Sequence, residues 1–303
     1  MINFLSNQKN TFLAITAMVI GVIFIDIHGL IVKFLGGEYS TIQLALFRNT
    51  FAIIPLILLL IYNKESSSLF NNLTKKFILF CFIRGSCFLL INVLYYIAIN
   101  NMEFATASTL TFSSTFFIVI LSIFFLSDKV GIYRWSAVII GFIGVVMIMK
   151  PNSSIFSYYS ILPILVAFLW AVQVIVLKFI PNNYSTGKIQ FYSLSSSFLG
   201  SLLLIFFTTG HTNIESQGDF FILSLIGIFG GTAAILFIYS YRLIAASKIA
   251  VFEYLAIPSS FILAWIFFGE APFSQLFPGV LLIVFAGLII IWRDKNRASN
   301  KII

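Results

Sequence analysis

The chain has 303 residues, of which 60% are hydrophobic and only 9% are charged. Soluble domains carry about 25% charged residues, so this composition excludes a water-soluble globular protein. The mean hydropathy of +1.06 extends over the whole length. The net charge of +8 comes mainly from Lys and Arg between apolar runs, which favours membrane topology over nucleic-acid binding.

Ten apolar runs are candidates for crossing the lipid hydrocarbon, which takes about 20 helical residues. In chain order they cover residues 11–34, 41–62, 77–99, 105–126, 135–149, 160–177, 189–207, 220–239, 249–268 and 277–292. Strands of membrane barrels are about ten residues long and alternate in polarity, so these runs predict helices. We therefore predict an all-α integral membrane protein with ten transmembrane helices.

Positive charges alternate across the predicted spans. The chain has 18 lysines and arginines, and Arg48 and Arg84 lie inside spans. Only Lys33 and Lys150 fall on one side of the membrane, and the others fall on the opposite side. Because positively charged loops stay in the cytoplasm during insertion, we expect both termini to be cytoplasmic. The expected location is the bacterial inner membrane.

The sequence contains an internal repeat. Residues 31–41 (IVKFLGGEYST) reappear as residues 176–186 (VLKFIPNNYST), and residues 123–128 (IFFLSD) correspond to residues 266–270 (IFFGE). We predict two repeats, residues 1–150 and 151–303, with five spans each, and an odd number of spans inverts the second repeat. Inverted repeats are typical of secondary transporters, in which two halves open alternately around a central site.

Residues spread over the whole chain match one family pattern. They are Lys33, Ser40, Thr41, Arg48, Arg84, Gly85, Arg134, Trp135, residues 141–144 (GFIG) and residues 268–270 (FGE). With them the sequence resembles the drug/metabolite transporter superfamily, specifically its ten-helix EamA branch. The resemblance implies a small-molecule substrate that crosses the bilayer through a central cavity, without ATP. No motif for nucleotide hydrolysis or metal binding is present, so we expect no catalytic residue, cofactor or metal site.

Ionisable side chains inside spans are costly in hydrocarbon and usually mark a pathway or pair with one another. Their depth suggests one pair near the outer end, Asp26 with Arg48, and one near the inner end, Arg84 with Glu253. Such pairs could also simply hold helices together. Carboxylates in a cavity suit a cationic or zwitterionic substrate, or a coupling proton. His28 is about 200° round the helix from Asp26, so we expect only one of them to face the cavity.

Polar aromatic and amide side chains are the other candidates for substrate contact. Tyr95 lies eleven residues after Arg84 and so returns to about the same helical face. The full set of further candidates is Asn92, Tyr95, Tyr96, Trp170, Gln173 and Tyr254.

The leading hypothesis is a secondary transporter of a small organic metabolite in the lipid bilayer, coupled to protons or to an exchanged metabolite. Its first substrate candidate is an amino acid or a derivative such as S-adenosylmethionine, and the alternative is a vitamin such as riboflavin, or a drug. A membrane-embedded transferase is the remote alternative, and it would need clustered carboxylates or histidines at one membrane face. Transport direction and oligomeric state stay open here.

Overall fold

The computed structural model describes most of the chain, with the last predicted span described in short separate pieces. The described residues are 2–35, 37–111, 113–128, 130–149, 158–207, 212–214, 216–269, 277–279, 281–282, 285–286, 288–289 and 292. Every extended regular element within them is a helix. The all-α membrane class is confirmed.

The described residues up to 149 form α1 (Ile2–Phe34), α2 (Thr41–Phe51), α3 (Ile53–Tyr62), α4 (Lys75–Asn101), α5 (Phe104–Thr111), α6 (Ser114–Leu126) and α7 (Ile132–Met149). Those from 158 onward form α8 (Ile161–Phe179), α9 (Thr186–Phe207), α10 (Gln217–Leu243), α11 (Ala246–Ile249) and α12 (Ala256–Phe268). A 3₁₀ helix, Ala250–Leu255, joins α11 to α12.

Seven helical segments of the described chain are long and apolar enough to cross a membrane. They are Lys9–Phe34, Thr41–Tyr62, Lys75–Asn101, Ile161–Phe179, Thr186–Phe207, Gln217–Leu243 and Ala246–Phe268. These segments correspond to the first three predicted spans and to the sixth through ninth. The fourth predicted span is divided between α5 and α6, and the fifth lies within α7. The tenth is described only in short separate pieces, so the count of ten stays a prediction.

Helices are interrupted within the second, fourth and ninth predicted spans. In the second, α2 ends at Phe51, because Pro55 has no N–H to donate to the Phe51 carbonyl. In the fourth, the α-helix stops at Thr111 and resumes at Ser114. In the ninth, the chain tightens into the 3₁₀ helix Ala250–Leu255. The interruptions of the fourth and ninth spans fall at corresponding positions of the sequence repeat. In transporters, interrupted helices at such positions present backbone groups and polar side chains to a ligand.

Helices from the two halves of the chain interdigitate. The long helix α1 packs along α10, α4 packs along α8 and α9, and α2 packs along α10 and α9. Exchanging α1 with α8, α2 with α9, and α4 with α10 maps this set of contacts onto itself. Within the described residues, the core therefore lies between the halves.

Equivalent lysines of the repeat hold equivalent helix ends. Lys33 Nζ donates to the carbonyls of Ile99 and Met102, at 2.9 and 3.0 Å, where α4 ends. Lys178 Nζ donates to the Ile244 carbonyl at 2.5 Å, where α10 ends. The last carbonyls of a helix have no partner within the helix, so a lysine there satisfies them.

Equivalent tyrosines of the repeat reach across to the opposite half. The Tyr39 hydroxyl donates to Asp219 Oδ2 at 3.1 Å, at the start of α10. The Tyr184 hydroxyl lies 3.2 Å from Thr74 Oγ1, at the start of α4. The motif that repeats in the sequence thus makes matching contacts in the two halves.

Two glycines allow helices to cross at backbone distance. A Cβ atom on Gly85 of α4 would lie 2.3 Å from the Ser193 carbonyl oxygen of α9. A Cβ atom on Gly227 of α10 would lie 2.8 Å from the Arg48 carbonyl oxygen of α2. Small residues at such crossings are the usual means of close helix packing in membranes.

Candidate functional site

A cavity of about 750 Å³ lies between the two halves. Its wall includes α1, α4, α8 and α10. The interruptions of the fourth and ninth predicted spans also reach it, through Ser114 and Glu253. We call it the acidic cavity. The predicted site residues that line it are Asp26, Asn92, Tyr95, Trp170 and Glu253.

Asp26 supplies one carboxylate of the acidic cavity from the last third of α1. The side chain is 3% exposed, and Ser259 of α12 donates its hydroxyl to Oδ2. Among the described residues, no lysine, arginine or histidine forms an ion pair with it. A buried carboxylate with a single neutral donor retains capacity for a positively charged group.

Glu253 supplies the second carboxylate from the 3₁₀ helix. Its Oε1 accepts from Trp170 Nε1 of α8 at 2.9 Å and from the Tyr241 hydroxyl of α10. Its Oε2 accepts from Ser114 Oγ of α6 at 3.0 Å. Three donors from three helices therefore hold the Glu253 carboxylate, whereas one hydroxyl donates to Asp26.

Replacing Glu253 tests whether these hydrogen bonds stabilise the protein. Glu253→Ala leaves the buried Trp170 N–H and Tyr241 hydroxyl without an acceptor, which costs about 2 kcal/mol in total. Thermal unfolding of the purified protein in detergent should show a clearly lower midpoint. Glu253→Gln is the matched control, because its oxygen can accept from both donors and its amide can donate to Ser114. Equal midpoints for the two variants would contradict the assignment.

His28 lies on the same cavity as Asp26, contrary to the expectation from the helical angle. Ile25, about 100° from Asp26 and about 60° from His28, also lines the cavity. The cavity therefore follows an arc of α1 centred on Ile25, and both flanks of that arc face it. The His28 Nε2 atom lies 2.8 Å from the Tyr96 hydroxyl.

A second cavity, of about 440 Å³, adjoins the first. Arg48, Arg84 and Gln173 line it, and we call it the basic cavity. The two cavities share three aromatic side chains, which are Phe88, Trp170 and Phe237. The predicted acidic and basic residues thus lie on opposite sides of one aromatic wall.

Neither predicted ion pair forms. Arg48 donates to the Gly230 carbonyl at 2.9 Å, and Asp26 instead accepts from Ser259. Arg84 donates to the Gln173 carbonyl at 2.8 Å. Glu253 instead accepts from three neutral donors. Depth in the membrane suggested these pairs, whereas α2 packs on α9 and α10 and so carries Arg48 to a different neighbour.

Two predicted residues, Tyr96 and Tyr254, line neither cavity. Tyr96 is fully buried behind the wall, against His28. Tyr254 packs its ring on α7, where a Cβ atom on Gly141 would lie 2.5 Å from its Cε2. The structure thus gives both tyrosines packing contacts.

Sequence reasoning missed the neutral partners of the two carboxylates, Ser114, Tyr241 and Ser259. Hydroxyls are common in membrane helices and give no compositional signal. The available signal was positional, because residues 113–115 (SST) and 258–260 (PSS) lie near the same level of the two repeats. Within the described residues, no group of three His, Cys, Asp or Glu side chains could hold a metal ion.

Comparison with known proteins agrees with this architecture. The model of the EamA-like transporter family matches residues 12–150 and again residues 157–293. An S-adenosylmethionine uptake transporter of Rickettsia bellii is 26% identical, over 89% of this chain and 90% of the relative. A riboflavin transporter of Brucella anthropi is 29% identical, over 67% of this chain and 72% of the relative.

A solved crystal structure shares the fold. Its TM-score is 0.72 at 16% sequence identity, and the match covers 93% of this chain and 96% of that one. The family consists of transporters and not of enzymes. With a family match that extends over both halves, this chain belongs to the EamA-like transporter family.

Proposed function

We propose that this protein is a secondary transporter of a small organic cation or zwitterion, with S-adenosylmethionine as the first candidate. The observation that carries the proposal is Asp26, a buried carboxylate that lines the acidic cavity and forms no ion pair within the described residues. A charged group in the membrane interior is costly, so a site of this kind is stabilised when a cationic ligand enters.

The walls of the acidic cavity fit the rest of such a ligand. Phe88, Tyr95, Trp170 and Phe237 present aromatic surface, which can stack on a planar base and attract a sulfonium or ammonium group. The Asn92 amide nitrogen is buried without a hydrogen-bond partner and can donate to a ring nitrogen or carbonyl. Riboflavin could use the same stacking surface but brings no positive charge to Asp26.

Alternating access of two inverted repeats, residues 1–150 and 151–303, is the mechanism we infer. Two successive family matches support the division into halves. Lys33 and Lys178 make equivalent contacts in the two halves, and so do Tyr39 and Tyr184. These equivalences support a twofold relation between the halves. Interrupted helices at corresponding positions of two repeats are characteristic of transporter binding sites.

We infer from the lysine and arginine distribution that both termini lie in the cytoplasm, as expected for a bacterial inner-membrane protein. Cation movement through the site is balanced by a coupled proton or by an exchanged metabolite. The Rickettsia relative is named for uptake, and we propose the same direction here.

Uptake into liposomes tests the proposal. Purified protein in liposomes, without ATP, should accumulate radiolabelled S-adenosylmethionine in a saturable way, above protein-free liposomes. Excess unlabelled S-adenosylmethionine should suppress the signal, and excess riboflavin should not. Saturable uptake of labelled riboflavin without uptake of S-adenosylmethionine would replace the first candidate by the second.

A further inference from the structure

The basic cavity contains positive charge without a countercharge. Arg48 is 0% exposed and Arg84 is 5% exposed. Among the described residues, neither guanidinium forms an ion pair. We propose that the basic cavity binds the carboxylate group of the transported molecule, which is therefore zwitterionic and bound in one fixed direction. This inference rests on the proposed function and deepens it.

Arg84 is the residue with most capacity to spare. Its only hydrogen bond in the described structure runs from Nη1 to the Gln173 carbonyl, at 2.8 Å. The ionisable groups that act on it are two thiols, Cys81 and Cys87, and a further arginine, Arg242. A carboxylate arriving here would be the first anionic group near Arg84 and could bind its guanidinium in a bidentate manner.

Four polar atoms of the basic cavity are buried without a hydrogen-bond partner within the described residues, and all four can donate. They are Arg48 Nε, Arg84 Nε, Gln173 Nε2 and Ser193 Oγ, of which only the Ser193 hydroxyl can also accept. Guanidinium groups have no acceptor, and the amide nitrogen only donates, so a ligand must bring oxygen acceptors. A carboxylate provides two oxygens with about four acceptor sites, whereas an amine would add donors and a further positive charge.

Arg48 is already held more firmly than Arg84. Its Nη2 donates to the Gly230 carbonyl at 2.9 Å, and its guanidinium lies 3.9 Å above the centre of the Phe88 ring. Arg48 therefore supplies a second positive charge from a fixed position. Arg84 is left as the group that contacts the ligand.

The shared aromatic wall sets the orientation of the ligand. Trp170 and Phe237 meet edge to face, with ring centres 5.2 Å apart, and both border the two cavities. A molecule that crosses this wall places a cationic group beside Asp26 and a carboxylate beside Arg84. An amine without a carboxylate, or a neutral vitamin, satisfies only one end.

A stability measurement tests the basic cavity without any ligand. Arg84→Met removes a buried charge that has no countercharge among the described residues and only one hydrogen bond, so the ligand-free variant should unfold at a higher temperature than the wild type. Arg48→Met is the matched control, because it loses the Gly230 and Phe88 contacts and should unfold at a lower temperature. A lower midpoint for Arg84→Met, or loss of folded protein, would show a structural role and overturn the proposal.

A pair of probes tests ligand recognition. In liposomes, wild-type protein should take up S-adenosylmethionine about 10- to 100-fold better than its decarboxylated analogue, which lacks only the carboxylate. Arg84→Met should remove that preference. Equal uptake of both probes by the wild type would overturn the carboxylate site while leaving the transporter assignment intact. If the wild type transports neither probe, the substrate proposal fails. The unfolding midpoint of Arg84→Met then still tests whether the basic cavity is an anion-binding site.

Discussion

An Asp26→Asn variant should lose about 99% of the wild-type transport activity while remaining folded, because removal of one member of a buried charge pair costs about 2.7 kcal/mol, or about a hundredfold. Asparagine has the shape of aspartate, and its oxygen can still accept from Ser259. What disappears is the negative charge that faces the acidic cavity. Initial uptake rates of S-adenosylmethionine in liposomes, normalised to the amount of reconstituted protein, measure the effect.

Two controls separate charge from structure in this experiment. The Asn variant should unfold at the wild-type temperature or higher, because it no longer buries a charge without a countercharge. Ser259→Ala keeps the carboxylate and removes only its neutral donor, so uptake should fall by less than about tenfold. Transport by Asp26→Asn at the wild-type rate would remove Asp26 from the site.

Gly85→Ala should destabilise the protein by about 3 kcal/mol or more, since the new methyl group must displace backbone and not a flexible side chain. The added Cβ would meet the Ser193 carbonyl oxygen at 2.3 Å. Separation of α4 from α9 would follow. The expected measurement is a large drop in the unfolding midpoint in detergent, together with a smaller monodisperse fraction in size-exclusion chromatography.

Gly200→Ala is the matched control for this substitution. Its Cβ would meet only Leu89 Cδ2, at 2.7 Å, and a leucine side chain can change rotamer. Gly227→Ala should resemble Gly85→Ala, because its Cβ would lie 2.4 Å from Phe51 Cβ and 2.8 Å from the Arg48 carbonyl oxygen. Equal unfolding midpoints for all three variants would show that close backbone approach is not the reason why position 85 requires glycine.

Much of the fold could be predicted from the sequence because hydropathy and length determine what lipid tolerates. The division of the fourth span at Thr111 and Ser114 was missed, since both flanking stretches are apolar and no proline lies between them. The repeat around Lys33 and Lys178 could be recognised in the sequence. Only the structure shows that the two lysines cap equivalent helix ends.

The candidate site could be predicted only in part. Asp26 and Glu253 were identified because carboxylates are rare in membrane helices. Their partners could not be, since the identity of neighbouring helices depends on packing between distant segments. Arg48 shows this most clearly, because its depth matched that of Asp26 while its helix α2 packs on α9 and α10.

The interdigitation of α1 with α10 has a consequence for synthesis. Ser259, the hydrogen-bond partner of Asp26, lies 233 residues further along the chain, and α10 begins only at Gln217. A new chain emerges from the ribosome in order, so α1 enters the bilayer while those segments do not yet exist. A charged residue inside an inserting helix is costly, by up to about 3 kcal/mol at the helix centre on insertion scales. The nascent protein therefore carries that cost until its second half arrives, and a chain stopped early has no means of relieving it.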